Sequence, residues 1–380
     1  MLSYLHAFHA GNHADILKHA ALIQVLKKLN QKDAPYSFFD THSGSGLYSL
    51  QGERAQKTGE AERGVLALDK FARQKKTVFN VKESAASENP SQCQEYPGFD
   101  LEQIPCAILD YLDFVRPFLR LDLYPGSPII ERSFLRQDDF HAICELHPAE
   151  FEALKENCAQ HEKTLSLKRA APDLAENKAQ KANRLPRGAH RDDCRLKDIR
   201  SQILNKDGFK ALLSLAPPKI KRGAVLIDPS YEESSDYEEV RQTAVAVHKK
   251  WSAGIIMIWY PLLAHRTSEI EGMTESICEA AKIQNQNTEI LRAEFLVDAP
   301  QSHVERSLTE NAAQKEAARK KQAESNDGKS EKTFSPRLYG SGLLVVNAPW
   351  KLALELEEAL AFLARVPFLS NKPSYCVKKI

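Results

Sequence analysis

Two short stretches of this chain each pass from a run of apolar residues directly into a polar loop. Residues 38–46 read Phe-Phe-Asp-Thr-His-Ser-Gly-Ser-Gly, and residues 225–231 read Val-Leu-Ile-Asp-Pro-Ser-Tyr. Alternate glycines let the backbone approach a ligand closely. The second loop brings a carboxylate, a fixed carbonyl and an aromatic ring together. We therefore predict a cofactor-binding loop and a catalytic loop at strand ends of one α/β sheet.

Strand-like and helix-like segments alternate along most of the chain, which is typical of a mainly parallel sheet with helices on both faces. Seven strands are predicted, at residues 37–40, 140–144, 199–204, 224–227, 255–259, 290–297 and 342–346. The last two lack the usual helical crossover, so we predict an antiparallel edge. Such sheets bind ligands at the carboxyl ends of their strands, where the sequence places Asp40, Glu145, Asp207 and Asp228. Helices are predicted at residues 14–29, 127–134 and 149–158, among others.

Three stretches interrupt this alternation. Residues 49–122, with helices predicted near 65–73 and 104–121, are interpreted as an inserted helical subdomain, so the catalytic domain comprises residues 1–48 and 123–380. Residues 159–197 and 303–336 are polar and rich in charge, which predicts flexible or partly helical insertions. The basic residues of 159–197 favour either contact with RNA phosphates or a solvated spacer.

The composition argues against several classes of protein. Lys and Arg number 52 against 51 Asp and Glu, so any basic surface must be local. The seven cysteines contain no Cys-x-x-Cys pair, which argues against structural zinc or a disulfide framework and indicates reduced thiols in the cytoplasm. We expect neither a membrane span nor a signal peptide. The absence of heptad patterning favours a monomer.

Histidines are concentrated at the start of the chain, where His6, His9 and His13 are irregularly spaced. No acidic ligand pattern accompanies them, so we predict no metal but a segment that folds over a ligand or over RNA. His19, in the following helix, is interpreted either as an ordinary surface residue or as a polar group beside the cofactor loop. Ser127 is interpreted either as a helix cap before Pro128 or as a cofactor contact.

The Asp-Pro-Ser-Tyr turn predicts chemistry on an adenine amine. That nitrogen is a poor nucleophile because its lone pair is delocalised into the ring. It attacks better when two acceptors hold its hydrogens, and the Asp228 carboxylate and the Pro229 carbonyl are suited to this role. Tyr231 is predicted to stack on the base, which must leave its own stack first. A carboxylate also favours a cationic sulfonium methyl donor.

The chain resembles the RlmJ family along nearly its whole length apart from the polar insertions. The resemblance is carried by Ser3-Tyr4, Phe8-His9-Ala10-Gly11-Asn12-His13-Ala14-Asp15, Leu17-Lys18-His19, Asp40-Thr41-His42 with Gly44 and Gly46, Tyr124-Pro125-Gly126-Ser127-Pro128, Glu145-Leu146-His147-Pro148, Asp207-Gly208-Phe209, Ile227-Asp228-Pro229 and Trp259-Tyr260-Pro261. The family methylates N6 of adenine 2030 in 23S ribosomal RNA with S-adenosylmethionine. The resemblance implies a class I methyltransferase (Rossmann-like) fold, with a mainly parallel seven-stranded sheet and an inserted helical subdomain.

The resemblance also implies roles for individual residues. The implied cofactor-binding residues are His19, His42, Gly44, Gly46, Ser127, Glu145, Asp207 and Gly208. The implied catalytic residue is Asp228, with Pro229 and Tyr231 beside it. A segment carrying Tyr4 and His6 is implied to lie over the active site together with Lys18. No metal is expected, and the partner is 23S ribosomal RNA in the cytoplasm.

One departure from the family's Asp-Pro-Pro-Tyr tetrad keeps alternatives open. Ser230 replaces the second proline, which frees a backbone torsion and makes the loop less rigid. Two alternatives to rRNA methylation remain at this point. One is a DNA adenine-N6 methyltransferase, which the tetrad alone fits equally well. The other is a catalytically silent RNA-binding or assembly factor, which only Ser230 favours.

Overall fold

The structure is a computed structural model that describes residues 5–74, 76–77, 103–170, 200–298, 338–366 and 373–380. The helices are α1 (His13–Asn30), α2 (Glu53–Thr58), α3 (Val65–Ala72), α4 (Cys106–Leu119), α5 (Ser127–Phe134), α6 (Pro148–Ala170), α7 (Gly208–Leu215), α8 (Ser234–Lys250), α9 (Thr267–Gln284) and α10 (Leu352–Leu363). Short 3-10 turns lie at His6–Phe8 and Ala264–Arg266. No helix in the described ranges has the length and apolarity needed to cross a membrane.

The strands follow the same order along the chain. They are β1 (Ser37–Asp40), β2 (Leu47–Ser49), β3 (Lys76–Thr77), β4 (Gln103–Ile104), β5 (Leu123–Pro125), β6 (Phe140–Cys144), β7 (Arg200–Leu204), β8 (Gly223–Ile227), β9 (Ile255–Leu262), β10 (Ile290–Leu296), β11 (Gly340–Val346) and β12 (Ser374–Lys379). The main sheet has the order β12-β10-β11-β9-β8-β1-β6-β7. Its five strands from β9 to β7 are parallel, whereas β11 pairs antiparallel with β9 and β10.

The sheet confirms the predicted architecture with one correction: in the described part of the chain it has eight strands instead of seven. The additional strand is Ser374–Lys379, which is not among the seven predicted strands and which pairs antiparallel with β10. Tyr375 and Val377, two positions apart, pack against the core. A strand at the sheet edge has one neighbour and a short apolar face, so its sequence signal is weak.

β1 is the central strand of the five parallel strands and lies between β6 and β8. The chain fills one side of β1 first, through β6 and β7, and then the other side, beginning with β8. This reversal leaves a crevice at the carboxyl ends of the strands, which is where open α/β sheets bind ligands. The register places Asp40 opposite Ile143 of β6 and Leu226 of β8, directly below that edge.

Helices cover both faces of the sheet, and the alternation of side chains along β1 separates the two cores. Phe38 belongs to the hydrophobic cluster that includes Leu22 and Leu26 of α1. Phe39 points to the opposite face, where its ring lies 5.8 Å from that of Trp251 at the end of α8. Both faces of β8 are buried as well, which explains its uninterrupted apolar sequence.

Residues 49–122 leave and rejoin the main fold side by side, because β2 pairs antiparallel with β5. Helix α4 packs against α1 and α10, and Tyr111 and Leu112 share the cluster that contains Leu22. The helices of this segment therefore add to the core beneath the sheet. Its separation as a subdomain stays a prediction.

One predicted helix is longer in the structure than the sequence indicated, and parts of the predicted insertions lie outside the described residues. Helix α6 was predicted to end near residue 158 but continues to Ala170. Good helix formers such as Gln, Glu, Lys and Leu fill this stretch, and no proline occurs before Pro172. The remainder of the predicted insertions, at 171–197 and 303–336, lies outside the described residues.

Candidate active site

Asp228 follows directly after β8 at the carboxyl edge of the sheet. Lys18 Nζ of α1 donates a hydrogen bond to Asp228 Oδ2 at 2.6 Å and lies 3.0 Å from Asp15 Oδ1. The Lys18 side chain is only 6% exposed. Burial lowers the pKa of Lys18, but attraction by the two carboxylates outweighs it and holds that pKa well above its usual value.

Asp15 connects this ion pair to the N-terminal segment. Its Oδ2 accepts from the Gly11 amide at 2.9 Å and lies 2.9 Å from His6 Nε2. Although burial raises the pKa of Asp15, the nearby His6 and Lys18 charges hold it well below its usual range. Asp15 was not among the predicted site residues. The available signal was its position three residues after Asn12, whose side chain caps α1 by accepting from the Asp15 amide.

The resemblance to the family predicted three gating residues, and two of them lie near Asp228 in the structure. Lys18 contacts Asp228 directly, and His6 reaches it through Asp15 and Lys18. Tyr4 lies outside the described residues. The three N-terminal histidines have separate surroundings: His6 contacts Asp15, His9 contacts Glu60, and His13 is half-buried, with a buried Nε2 atom that has no hydrogen-bond partner among the described residues.

Tyr231 turns inward instead of facing the edge of the sheet. Its φ of 52° is in the left-handed region, and its hydroxyl donates to the Trp259 carbonyl at 2.7 Å. Its ring is buried, with its centroid 4.7 Å from that of Tyr237. In this arrangement Tyr231 anchors the turn that carries Asp228 and Pro229, and stacking of Tyr231 on a base stays a prediction.

Trp259 is an aromatic side chain of the site that sequence reasoning missed as a functional residue. It lies on β9, next to the strand that delivers Asp228, and is half-buried. Lys18 Nζ lies 5.7 Å from the centre of its ring, within range of a cation–π interaction. Its Nε1 atom is buried and has no hydrogen-bond partner among the described residues. This places an aromatic ring and an unused donor beside the Lys18–Asp228 pair.

The glycine loop after β1 is held against the end of β6. Gly44 and Gly46 have φ values of 58° and 74°, which favour glycine. The Gly44 amide donates to Glu145 Oε2 at 2.8 Å, and the His147 amide donates to Glu145 Oε1 at 2.7 Å. Glu145 is therefore fixed at the strand end, and each oxygen keeps capacity for a further donor.

Asp40 and Ser127 form a buried pair under this loop. Asp40 accepts from the His42 amide at 3.0 Å and from the Ser127 hydroxyl at 2.7 Å. Burial raises the pKa of Asp40 to about 6 in spite of these donors. The capping interpretation of Ser127 is wrong, because Gly126 is the cap residue of α5 and the Ser127 hydroxyl is used by Asp40 instead.

His19 is fully buried, so its interpretation as an ordinary surface residue is wrong. Its ring stacks on Tyr124 with centroids 5.6 Å apart, and its Nδ1 lies 2.8 Å from the Tyr124 hydroxyl. Burial lowers the pKa of His19 to about 3, so the ring is neutral at physiological pH. Its Nε2 atom has no hydrogen-bond partner in the described part of the chain.

Helix α7 places the other predicted cofactor residues beside the loop. Asp207 caps the helix by accepting from the Lys210 amide at 3.1 Å. The His42 ring packs edge-on against Phe209, with centroids 4.8 Å apart. Burial lowers the pKa of His42 to about 4, which keeps the ring neutral near pH 7. A Cβ atom at Gly208 would lie 1.9 Å from the Thr41 carbonyl oxygen, so α7 approaches the loop as closely as a glycine permits.

We therefore expect Gly208→Ala to weaken S-adenosylmethionine binding by at least on the order of tenfold, because α7 must move away from the Thr41 backbone. Isothermal titration calorimetry measures this effect. Gly272→Ala is the matched control, since no atom lies within 4 Å of a Cβ at Gly272 in helix α9. That control is expected to bind normally and to be equally or more stable. Equal affinities in both variants would contradict the predicted role of Gly208 in cofactor binding.

Together, the strand order, the glycine loop after the central strand and the Asp-Pro-Ser-Tyr turn define a class I, Rossmann-like methyltransferase fold. A family model supports this class directly. The model described as "Ribosomal RNA large subunit methyltransferase D, RlmJ" matches residues 33–82, 99–189 and 172–312. The chain belongs to this family.

Curated relatives and a solved structure agree with that membership. Proteins named ribosomal RNA large subunit methyltransferase J from Escherichia coli strain K12 and Haemophilus influenzae strain Rd are each 28% identical to this chain. The alignments cover 96% and 100% of this chain and 93% and 99% of the relatives. A crystal structure of a Legionella pneumophila protein matches with a TM-score of 0.61 and 22% identity, covering 97% of this chain and 98% of that one. This last similarity supports the fold alone.

Proposed function

We propose that this protein transfers a methyl group from S-adenosylmethionine to N6 of an adenine in 23S ribosomal RNA, at adenine 2030 by family resemblance. The observation that carries the proposal is the position of Asp228 and Pro229 at the carboxyl end of β8, beside the central strand that bears the glycine loop. Family membership and the relatives' names support ribosomal RNA as the substrate.

The residues around the loop fit the proposed cofactor. The Ser43 hydroxyl is buried in the loop and has no hydrogen-bond partner among the described residues, so a ligand at this place would satisfy it. Glu145 has acceptor capacity for ribose hydroxyls at a strand end. Neutral His42 and the start of α7 at Asp207 and Gly208 close the other side. S-adenosylmethionine supplies an electrophilic methyl group on a cationic sulfur.

The protein residues activate the amine. Asp228 and the Pro229 carbonyl would accept the two hydrogens of the adenine amino group, which frees the nitrogen lone pair for attack. Lys18 holds one oxygen of Asp228 at 2.6 Å and thereby orients the carboxylate. Asp228 is also the group best placed to accept or relay the proton that the amine releases. Preorganised acceptors of this kind need little rearrangement during the reaction.

The flipped adenine requires an aromatic surface and a dry pocket. Tyr231 holds the turn from inside, whereas Trp259 presents a half-buried ring next to Lys18. Both rings are candidates for stacking on the adenine. Tyr231 is the ring predicted from the sequence, and Trp259 is the more accessible of the two. His6 and the segment around it would exclude water above Asp228. We further propose that the protein acts in the cytoplasm, as a monomer and without a metal.

The experiment that tests this proposal supplies labelled methyl donor to protein-free 23S ribosomal RNA and to duplex DNA in parallel. Label in N6-methyladenine at one position of the RNA, and none in DNA, is the expected result. Label in DNA alone would indicate the DNA adenine methyltransferase. Binding of the donor with transfer to neither substrate would indicate a silent factor, and restoration of transfer by Ser230→Pro would then locate the cause in the tetrad.

A further inference from the structure

Glu60 joins the N-terminal segment to the loop between α2 and α3. One carboxylate oxygen, Oε1, lies 2.9 Å from His9 Nδ1, and the other, Oε2, accepts from Asn12 Nδ2 at 2.9 Å. Both partners belong to one turn, which immediately precedes α1. Burial raises the pKa of Glu60, but the bonds from His9 and Asn12 outweigh it and lower that pKa below its usual value. The carboxylate form thus suits this position.

The backbone makes the same connection. The Val65 amide donates to the Gly11 carbonyl at 2.8 Å, and the Thr58 hydroxyl donates to the Phe8 carbonyl. A Cβ atom at Gly64 would lie 2.1 Å from the Gly11 carbonyl oxygen, so the two chain segments are in direct contact. Residues 8–12, which include the turn at residues 9–12, are therefore attached to residues 58–65 by both side-chain and backbone hydrogen bonds.

This attachment lies at the base of the segment that reaches the active site. Asn12 caps α1, and Gly11 donates to the Asp15 carboxylate that also contacts His6 and Lys18. The 3-10 turn His6–Phe8 carries His6 and directly precedes His9, where Glu60 attaches. A change in the position of the 9–12 turn would move His6 relative to Asp15, and with it the surroundings of Lys18 and Asp228.

We propose that Glu60 is a positioning residue for methyl transfer, which holds the 9–12 turn so that His6 stays on Asp15 and the N-terminal segment stays over the Lys18–Asp228 pair. The inference rests on the proposed function for its catalytic consequence. Its structural part, the attachment itself, stands independently of any substrate. Residues 49–122 thus contribute to the reaction through one carboxylate, although that carboxylate touches neither substrate nor cofactor.

The test compares full-length Glu60→Ala, Glu60→Gln and Glu62→Ala by amide hydrogen exchange and by kinetics. In Glu60→Ala, exchange of residues 6–12 is expected to accelerate by at least on the order of tenfold, and kcat for RNA methylation to fall by a similar factor. The affinity for S-adenosylmethionine is expected to stay within about threefold. Glu60→Gln should retain most of the rate, because the glutamine oxygen still accepts from Asn12 and the side chain keeps its length and its position beside His9.

Glu62→Ala is the matched control, an exposed acidic residue on the same loop, and should behave as wild type. Unchanged exchange in Glu60→Ala would overturn the attachment, and faster exchange with an unchanged kcat would overturn its role in positioning. A similar loss of kcat in Glu62→Ala would also count against the proposal. If the wild-type protein methylates no RNA, the proposed function fails, while the exchange measurement still decides whether Glu60 holds the segment.

Discussion

Asp228→Asn is expected to reduce the rate of methyl transfer to ribosomal RNA by on the order of 10³-fold. The asparagine side chain keeps the shape of aspartate, but its amide offers hydrogens to an amine that needs acceptors. The negative charge of Asp228, which pairs with Lys18 Nζ at 2.6 Å, is lost as well. Single-turnover transfer of labelled methyl groups measures the chemical step. The affinity for S-adenosylmethionine should change by less than about threefold, because this role belongs to transfer and not to cofactor binding.

Asp138→Asn provides the same chemical change at a distant position. Asp138 is exposed and precedes β6, at the edge of the sheet opposite to Asp228, so wild-type rates are expected. A rate for Asp228→Asn within tenfold of wild type would remove Asp228 from the centre of the mechanism. If Asp228→Asn lost both S-adenosylmethionine binding and methyl transfer, the result would point instead to a structural defect.

Lys18→Met is expected to lower the free energy of unfolding by about 3–5 kcal/mol. The side chain is 6% exposed and lies between Asp15 and Asp228, 3.0 Å and 2.6 Å away. Methionine has a similar length but leaves two carboxylates near each other without the cation between them, and the Asp15 carboxylate is fully buried. Denaturation in urea, with a constant slope across variants, measures the loss.

Lys27→Met is the matched control on the same helix. Lys27 pairs with Asp110, but its side chain is 44% exposed, so its loss is expected to cost less than about 1 kcal/mol. In an Asp228→Asn background, Lys18→Met should cost clearly less than in the wild type, because one of the two charges is gone. An equal cost in both backgrounds would show that the Lys18–Asp228 bond does not govern stability.

The architecture was largely predictable, because strong local patterns define its central elements. The apolar run before Asp228 predicted β8, and the Phe-Phe pair before Asp40 predicted β1. Parallel strands separated by helices then place both loops at one edge. The eighth strand escaped prediction because Tyr375 and Val377 form too short a pattern, and its partner β10 lies about 80 positions away in sequence.

The candidate site was predictable only where a strand end determines it. Glu145 and Asp207 lie at the edge that the strand pattern indicated, and the bonds of Glu145 to Gly44 and His147 are consistent with that placement. Contacts between distant segments carry no such signal. The Lys18–Asp228 bond joins residues 210 positions apart, and the use of the Ser127 hydroxyl by Asp40 depends on packing that no local pattern encodes.

The outer strand β12 has a consequence for how this protein behaves at high concentration. An unpaired strand edge can recruit strands of other molecules and start aggregation. Here β12 covers β10, and the last two residues of β12 are Lys378 and Lys379, both exposed. Charges at this border oppose the docking of a further strand from a neighbouring molecule. A fusion that disturbs residues 374–379 would uncover β10, so an affinity tag is better placed elsewhere in the chain.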